Sequence, residues 1–199
     1  MKKIIGVTGG VGSGKTAVME MLKDDYHAGI ILSDLVGHDL MEPGAISYVQ
    51  IVEEFGKGIL KEDGTINREA LASEVFSDAK KLARLNEISH HNIIAEVHRR
   101  IDAFQKSDVS FIALEAALLV ESGIKLDFAD MWFIYVDDET RIQRLMEGRG
   151  YSREKCLAIM KKQLSEEKFR QACTVVIDNS GDLSQTKKQV EVAVNALLA

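Results

Sequence analysis

The chain has 199 residues, of which 46% are hydrophobic and 28% charged, and its net charge is −6. These fractions are typical of a globular protein and exclude collagen-like, low-complexity and disordered chains. The length fits one domain with a small additional lobe. The negative net charge argues against nucleic acid as a partner.

Neither a leader nor a membrane segment is expected from the sequence. The chain begins with two lysines near a very short apolar run, which does not resemble a secretory signal. The most apolar later stretch, 111–120, contains Glu115 and is too short to cross a bilayer. Cys156 and Cys173 lack the spacing of a metal or redox pair, so we expect two reduced thiols in a cytoplasmic protein. The sequence leaves the oligomeric state undetermined.

Strand-like and helical patterns alternate along the chain. Five apolar runs are predicted strands: 3–7, 30–32, 111–114, 132–136 and 174–177. Helices are predicted at 15–22, from Asp34 onward, through most of 48–105 with a turn-rich interruption at 56–67, and at 183–198. This alternation predicts an α/β fold with a mainly parallel sheet. The long segment between the second and third strands predicts a helical lobe.

The strongest motif is GGVGSGKT at residues 9–16, a full match to GxxxxGK[ST] between a strand and a helix. Glycines allow the backbone N–H groups to approach a triphosphate, and the N-terminus of the next helix favours negative charge. Lys15 can reach the β- and γ-phosphates, and the Thr16 hydroxyl is a ligand for Mg²⁺. The predicted ATP-binding residues are Gly10, Val11, Gly12, Ser13, Gly14, Lys15 and Thr16.

A P-loop predicts nucleotide binding but does not identify a reaction. The sequence has no NKxD-like segment for guanine recognition, which argues against a GTPase, and it is too short for a multidomain motor. A small-molecule kinase remains, with the helical lobe as the acceptor-binding part.

Seven segments, in order, resemble those of the dephospho-CoA kinase family. They are IGVTGGVGSGKT, Asp34 followed by LMEPG, DGTINREAL, LNEISH, EAALLVESG, RLM and VIDNSG. The resemblance implies a P-loop kinase fold with a five-stranded parallel sheet flanked by helices, a helical acceptor lobe at about 48–105 and a lid at about 144–165. It also implies that the protein uses ATP and Mg²⁺ to phosphorylate the ribose 3′-hydroxyl of dephospho-CoA, giving coenzyme A and ADP.

Two carboxylates are candidates for the chemistry. Asp34 follows the second strand, where open parallel sheets bind ligands, and the resemblance implies that it contacts the acceptor hydroxyl and acts as the base. Its alternative role is a helix N-cap. Glu115 ends the third strand, where the family usually has Asp followed one position later by Pro; we expect it to orient a water on the metal, or to be a surface carboxylate. Glu121 matches another acid of the family.

Cations complete the candidate site. Arg144 and Arg149 lie in the segment that matches the lid and are expected to stabilise the transferring phosphoryl group; otherwise they belong to a solvated charged helix. The family's lid arginine usually falls at Gly148, so Arg149 is displaced by one position, and the glycines on both sides of it are expected to act as joints. Arg68 and His90 match residues of the acceptor lobe, although His90 is also compatible with a polar position at a helix start.

Other functions remain open at this point. Family members commonly have DAD around the catalytic acid, whereas this chain has Leu32-Ser33-Asp34. An altered pocket would accept another nucleoside or nucleotide-like alcohol. A regulator that binds nucleotide without catalysis is a further alternative, and the presence of Lys15, Thr16 and Asp34 together argues against it.

Overall fold

The computed structural model describes residues 1–116 and 126–199 of the chain. Its strands are β1 Ile4–Thr8, β2 Gly29–Leu32, β3 Ile112–Glu115, β4 Asp130–Tyr135 and β5 Val175–Asp178. The helices in this part are α1 Lys15–Tyr26, α2 Ser33–Asp39, α3 Ile46–Phe55, α4 Arg68–Phe76, α5 Ala79–Gln105, α6 Asp138–Arg149, α7 Arg153–Lys161, α8 Glu166–Ala172 and α9 Leu183–Leu198. A 3-10 turn covers Lys57–Ile59.

The strands form one parallel sheet in the order β2-β3-β1-β4-β5. The central strand β1 pairs on one side with β3, where Val7 lies opposite Glu115, and on the other side with β4, where Val7 lies opposite Trp132. These strands read as apolar runs because both faces of such a sheet are covered. The predicted five-stranded parallel sheet of a P-loop kinase is therefore confirmed, with strand ends that differ by one or two residues.

The first helix is longer than its pattern predicts. The expected end was residue 22, but α1 continues to Tyr26, and His27 stops it with a left-handed backbone of φ 55°. The amide of Ala28 then donates to the carbonyl of Leu22, which satisfies an orphan acceptor at the helix end. The helix buries Val18 and Leu22 completely.

The described residues form two compact units. The P-loop unit comprises Met1–Ile31 and Phe104–Ala199. It contains the whole sheet except Leu32, the last residue of β2. The helical unit comprises Leu32–Ala103, so it begins before residue 48 and includes α2. A helical acceptor lobe at about 48–105 and a lid at about 144–165 remain predictions of function.

Each unit has its own apolar core. In the helical unit, one apolar cluster around the 3-10 turn and helices α3 to α5 contains six buried residues: Ile51, Ile59, Ile66, Leu71, Val75 and Ile88. A buried amide lies beside them, since Asn92 donates to the hydroxyl of Ser47 and to the side chain of Gln50. In the P-loop unit, the largest fully buried side chain is Trp132 of β4. Among the described residues no helix is long and apolar enough to cross a membrane.

Candidate active site

The phosphate-binding segment follows β1 at the carboxyl edge of the sheet. Its backbone is left-handed at Gly12 and Gly14, both with φ 83°, a conformation that side chains with a Cβ rarely adopt. Gly14 immediately precedes α1, so the first amides of that helix have no partner within the helix. The segment has the form of the predicted cradle: a short glycine-containing loop that leads into a helix N-terminus, where anions are favoured.

A buried amide from another element lies against this loop. Asn179, directly after β5, donates from Nδ2 to the carbonyl of Ser13 over 2.8 Å. A Cβ at position 14 would overlap that Nδ2 atom. Gly14 is therefore required twice, once by its dihedral angle and once by the close approach of Asn179.

Lys15 lies inside the loop and near an acid of the neighbouring strand. Its ammonium donates to the carbonyl of Gly9 over 2.9 Å, and it lies 3.6 Å from a carboxylate oxygen of Glu115 at the end of β3. The side chains of Lys15 and Glu115 are 13% and 11% exposed. Glu115 is therefore buried at the site, and the alternative of a surface carboxylate is wrong. Glu121 lies outside the described residues.

The oxygen atoms near the loop fit a magnesium ion bound together with phosphates. Thr16 is exposed in the first turn of α1, and Glu115 ends the adjacent strand. A hydroxyl and a carboxylate are hard oxygen ligands of the kind that Mg²⁺ prefers, and this ion usually takes only one or two of them from the protein. The residues present thus suit the expected metal.

An arginine that the sequence pattern did not single out contacts the loop. Arg141 of α6 donates from Nε to the carbonyl of Val11 over 2.6 Å, and its guanidinium lies against Gly10. Gln163 accepts from Arg141 and from the amide of Val11, so one carboxamide oxygen joins the two. Burial lowers the pKa of Arg141 from its ordinary value. Its position three residues before Arg144 places the two arginines on one face of the helix, but no sequence motif marks Arg141 as a contact of the loop.

The predicted lid arginines occupy different environments. Arg144 is half-buried, and one of its guanidinium nitrogens lies 3.7 Å from the position of a Cβ on Gly14. Arg149 is exposed and is the last residue of α6. The expected joint at Gly148 is wrong, because Gly148 lies within α6; only Gly150 leaves the helix, with φ 62°. The structure therefore brings Arg144 to the P-loop.

Asp34 lies in the helical unit, in the first turn of α2. The N-cap of this helix is Leu32, so the alternative in which Asp34 caps the helix is wrong. The Asp34 carboxylate is exposed. At the other end of the same helix, Asp39 forms an ion pair of 2.8 Å with Arg100 of α5. Asp34 is thus presented on a helix that is tied to the long helix of its own unit.

A groove of 630 Å³ in the helical unit contains one of the predicted acceptor residues. Arg68, the first residue of α4, lines it together with Lys61 and His38. Glu42 and Glu69 line the same groove, so its charge is mixed, and the guanidinium of Arg68 is the group in it that suits phosphate oxygens. His90 is exposed within α5 and does not line this groove. It does not lie at a helix start either, because α5 begins at Ala79.

Comparison with known proteins identifies the family. The family model of dephospho-CoA kinase matches residues 3–185. The chain belongs to the dephospho-CoA kinase family. A dephospho-CoA kinase of Carboxydothermus hydrogenoformans is 37% identical over 187 residues, which cover 94% of this chain and 90% of the relative.

Solved structures agree with this assignment. A structure named TT1252 from Thermus thermophilus has a TM-score of 0.80 and 28% identity, with 100% of this chain and 98% of that chain covered. A shikimate kinase from Bacteroides thetaiotaomicron has a TM-score of 0.55 and 14% identity, with 100% of both chains covered, and so shares the fold alone. The solved structures therefore support the fold, and membership of the dephospho-CoA kinase family indicates the reaction and the acceptor.

Proposed function

We propose that this protein transfers the γ-phosphoryl group of ATP to the ribose 3′-hydroxyl of dephospho-CoA, giving coenzyme A and ADP. The observation that carries the proposal is a complete P-loop in a chain that matches the dephospho-CoA kinase family over residues 3–185. In the transfer, the bond from the γ-phosphorus to the bridging oxygen of ADP breaks. A bond from phosphorus to the 3′-oxygen forms, and the hydroxyl proton leaves.

The P-loop unit binds the donor. Backbone N–H groups within residues 10–16, other than those of Val11 and Ser13, surround the β- and γ-phosphates together with the ammonium of Lys15. Arg144 beside Gly14 stabilises the charge on the moving group. Arg149, in the lid at about 144–165, stabilises the same charge on the moving phosphoryl group. Thr16 and, through water, Glu115 would hold Mg²⁺, which would neutralise charge on the phosphate oxygens when bound. Glu115 also faces Lys15, so it orients that ammonium.

The helical unit binds the acceptor. Asp34 accepts the proton of the 3′-hydroxyl. This role suits an exposed carboxylate on a helix whose other end is held by the ion pair between Asp39 and Arg100. Arg68 in this groove binds an acceptor phosphate, and His90 contacts the acceptor from α5. The two free thiols fit an enzyme of the cytoplasm.

The test is product analysis by mass spectrometry after mixing the protein with Mg·ATP and dephospho-CoA. We expect coenzyme A from the wild type and a decrease in turnover of about 10²- to 10⁴-fold in Asp34→Asn, with Mg·ADP binding unchanged. Asp102→Asn, an exposed carboxylate of the same unit, is the control and should behave as the wild type.

Two results would contradict the proposal in different ways. Wild-type turnover in Asp34→Asn would remove this carboxylate from the mechanism while keeping the substrate. Absence of coenzyme A despite tight nucleotide binding would exclude dephospho-CoA as the acceptor, and a panel of other nucleotide-like alcohols would follow.

A further inference from the structure

A buried hydrogen-bond chain connects the start of α9 to the P-loop. The hydroxyl of Thr186 donates to Oδ1 of Asn179 over 2.8 Å, and Nδ2 of Asn179 donates to the carbonyl of Ser13 over 2.8 Å. Thr186 is fully buried and Asn179 is 4% exposed. The backbone amide of Asn179 also donates to the carbonyl of Tyr135, so this residue is fixed to β4.

The chemistry of this chain permits one orientation of the carboxamide. The Ser13 carbonyl only accepts hydrogen bonds, so Asn179 must present its NH₂ group to the loop. Its oxygen then faces Thr186, whose hydroxyl is able to donate. The Ser13 carbonyl therefore determines which end of the carboxamide meets the P-loop, and the Thr186 hydroxyl holds this orientation by donating to the other end.

Holding the Ser13 carbonyl also sets the direction of the next amide. In a trans peptide the C=O and the following N–H point in opposite directions, and the described chain contains no cis peptide bond. The carbonyl of Ser13 is drawn toward Asn179. The N–H of Gly14 in the same peptide plane therefore points away from Asn179.

We propose that Asn179, oriented by Thr186, is a positioning residue that aims the Gly14 amide at the β-phosphate of the bound nucleotide. The inference rests on the proposed binding of ATP at the P-loop. It goes beyond that function because it assigns a role to two buried side chains outside the P-loop motif. Without the hydroxyl of Thr186, the Asn179 oxygen is left buried without a donor. The carboxamide then holds the Ser13–Gly14 peptide plane less firmly.

The test measures the dissociation constants of Mg·ADP and AMP by titration calorimetry. In Thr186→Val, which removes the hydroxyl and keeps the shape, we expect Mg·ADP to bind about 10-fold more weakly, because the Gly14 amide no longer aligns fully with the charged β-phosphate. AMP lacks a β-phosphate, so its binding should change less than about 2-fold. In kinetics, KM for ATP should rise while KM for the acceptor stays unchanged.

Two further variants separate positioning from general damage. Thr186→Ser retains the donor and should restore Mg·ADP binding to within about 2-fold. Thr174→Val makes the same substitution at the amino end of β5, the opposite edge of the sheet, where the hydroxyl donates to Asp130. It should leave nucleotide binding unchanged.

Three outcomes would be decisive. Equal weakening of Mg·ADP and AMP in Thr186→Val, or wild-type binding of both, would overturn the positioning role alone. A wild-type protein that binds no Mg·ADP would overturn both this role and the proposed function. Asn179→Asp places an anionic oxygen against the Ser13 carbonyl and should weaken Mg·ADP more than Thr186→Val does.

Discussion

The P-loop and the acceptor residues of the helical unit are held in different ways. The P-loop is fixed by its backbone and by buried side chains: Ser13 is 2% exposed, and Asn179 and Arg141 both bond to loop carbonyls. In the helical unit, Asp34, Arg68 and His90 are exposed. Their positions follow from the helices that carry them.

The difference has an energetic consequence. A buried polar group that loses its partner costs about 1–3 kcal/mol, whereas an exposed ion pair contributes about 0–1 kcal/mol. Substitutions around the P-loop should therefore have large effects on nucleotide binding. Substitutions of the ion pairs in the helical unit should have small effects that depend on pH.

The sharpest test substitutes two glycines with nearly equal backbone angles. Gly14 has φ 83° and Gly64 of the helical unit has φ 82°, but a Cβ on Gly64 would meet nothing within 4 Å. Alanine should cost about 1–2 kcal/mol at either position through the left-handed backbone alone. Gly14→Ala must in addition displace Asn179, so we expect Mg·ADP affinity to fall about 100-fold or more, equivalent to about 2.7 kcal/mol.

Calorimetric titration with Mg·ADP and thermal unfolding of both variants provide the measurement. Gly64→Ala should lose stability and keep its nucleotide affinity. If Gly14→Ala bound Mg·ADP as tightly as Gly64→Ala does, the close approach of Asn179 to Gly14 would not matter for nucleotide binding. The expected difference between the P-loop and the helical unit would then be absent.

A smaller effect is expected from Glu96 in the helical unit. Hydrogen bonds from Arg99, and also from Arg100, lower the pKa of Glu96 from 4.5 to about 2. Arg100 also pairs with Asp39 on α2, so Glu96 belongs to the network that holds the helix of Asp34. Glu96→Gln should reduce the free energy of unfolding by about 1 kcal/mol at neutral pH, or about 2–4 °C in Tm.

The pH dependence of this effect has a definite sign. Because the folded-state pKa is lowered, the stabilisation is fully present above pH 4.5 and is lost as the pH falls through about 2. The Tm difference between wild type and Glu96→Gln should therefore shrink from pH 4.5 downward. A difference that stays constant over this range would show that Glu96 acts through packing and not through its charge.

Much of the fold could be predicted because its signals are local. The P-loop motif, the apolar strands and the Asp63-Gly64 turn each lie within a few residues of sequence. The end of α1 was missed, since His27 adopts a left-handed backbone that its residue type does not signal strongly. The burial of Glu115 depends on strand neighbours that are distant in sequence.

The candidate site was predicted where one motif contains it and missed where several elements meet. Lys15 and Thr16 lie in the motif itself. Arg141, Gln163 and Asn179 reach the P-loop from distant parts of the chain, and single-sequence patterns carry no information on such contacts. The segment VIDNSG identified the family without showing that its asparagine holds the loop.

The smallest expected signal is thiol labelling, and it reports on the P-loop unit only. Both cysteines of the chain, Cys156 and Cys173, lie in this unit, as does its single tryptophan, Trp132. Cys156 is fully buried, and burial raises the pKa of Cys173 to about 11. Because the thiolate is the reactive form, iodoacetamide at pH 8 should label the native protein very slowly at either position.

Labelling in increasing urea then compares the two units directly. Mass spectrometry of the two cysteine peptides and Trp132 fluorescence follow the P-loop unit, while far-UV circular dichroism also follows the helices of the other unit. Coincident midpoints would show that the units unfold together. If the helical unit unfolds first, the dichroism change should precede labelling, and Mg·ADP should shift only the labelling transition because the ligand stabilises the unit that binds it.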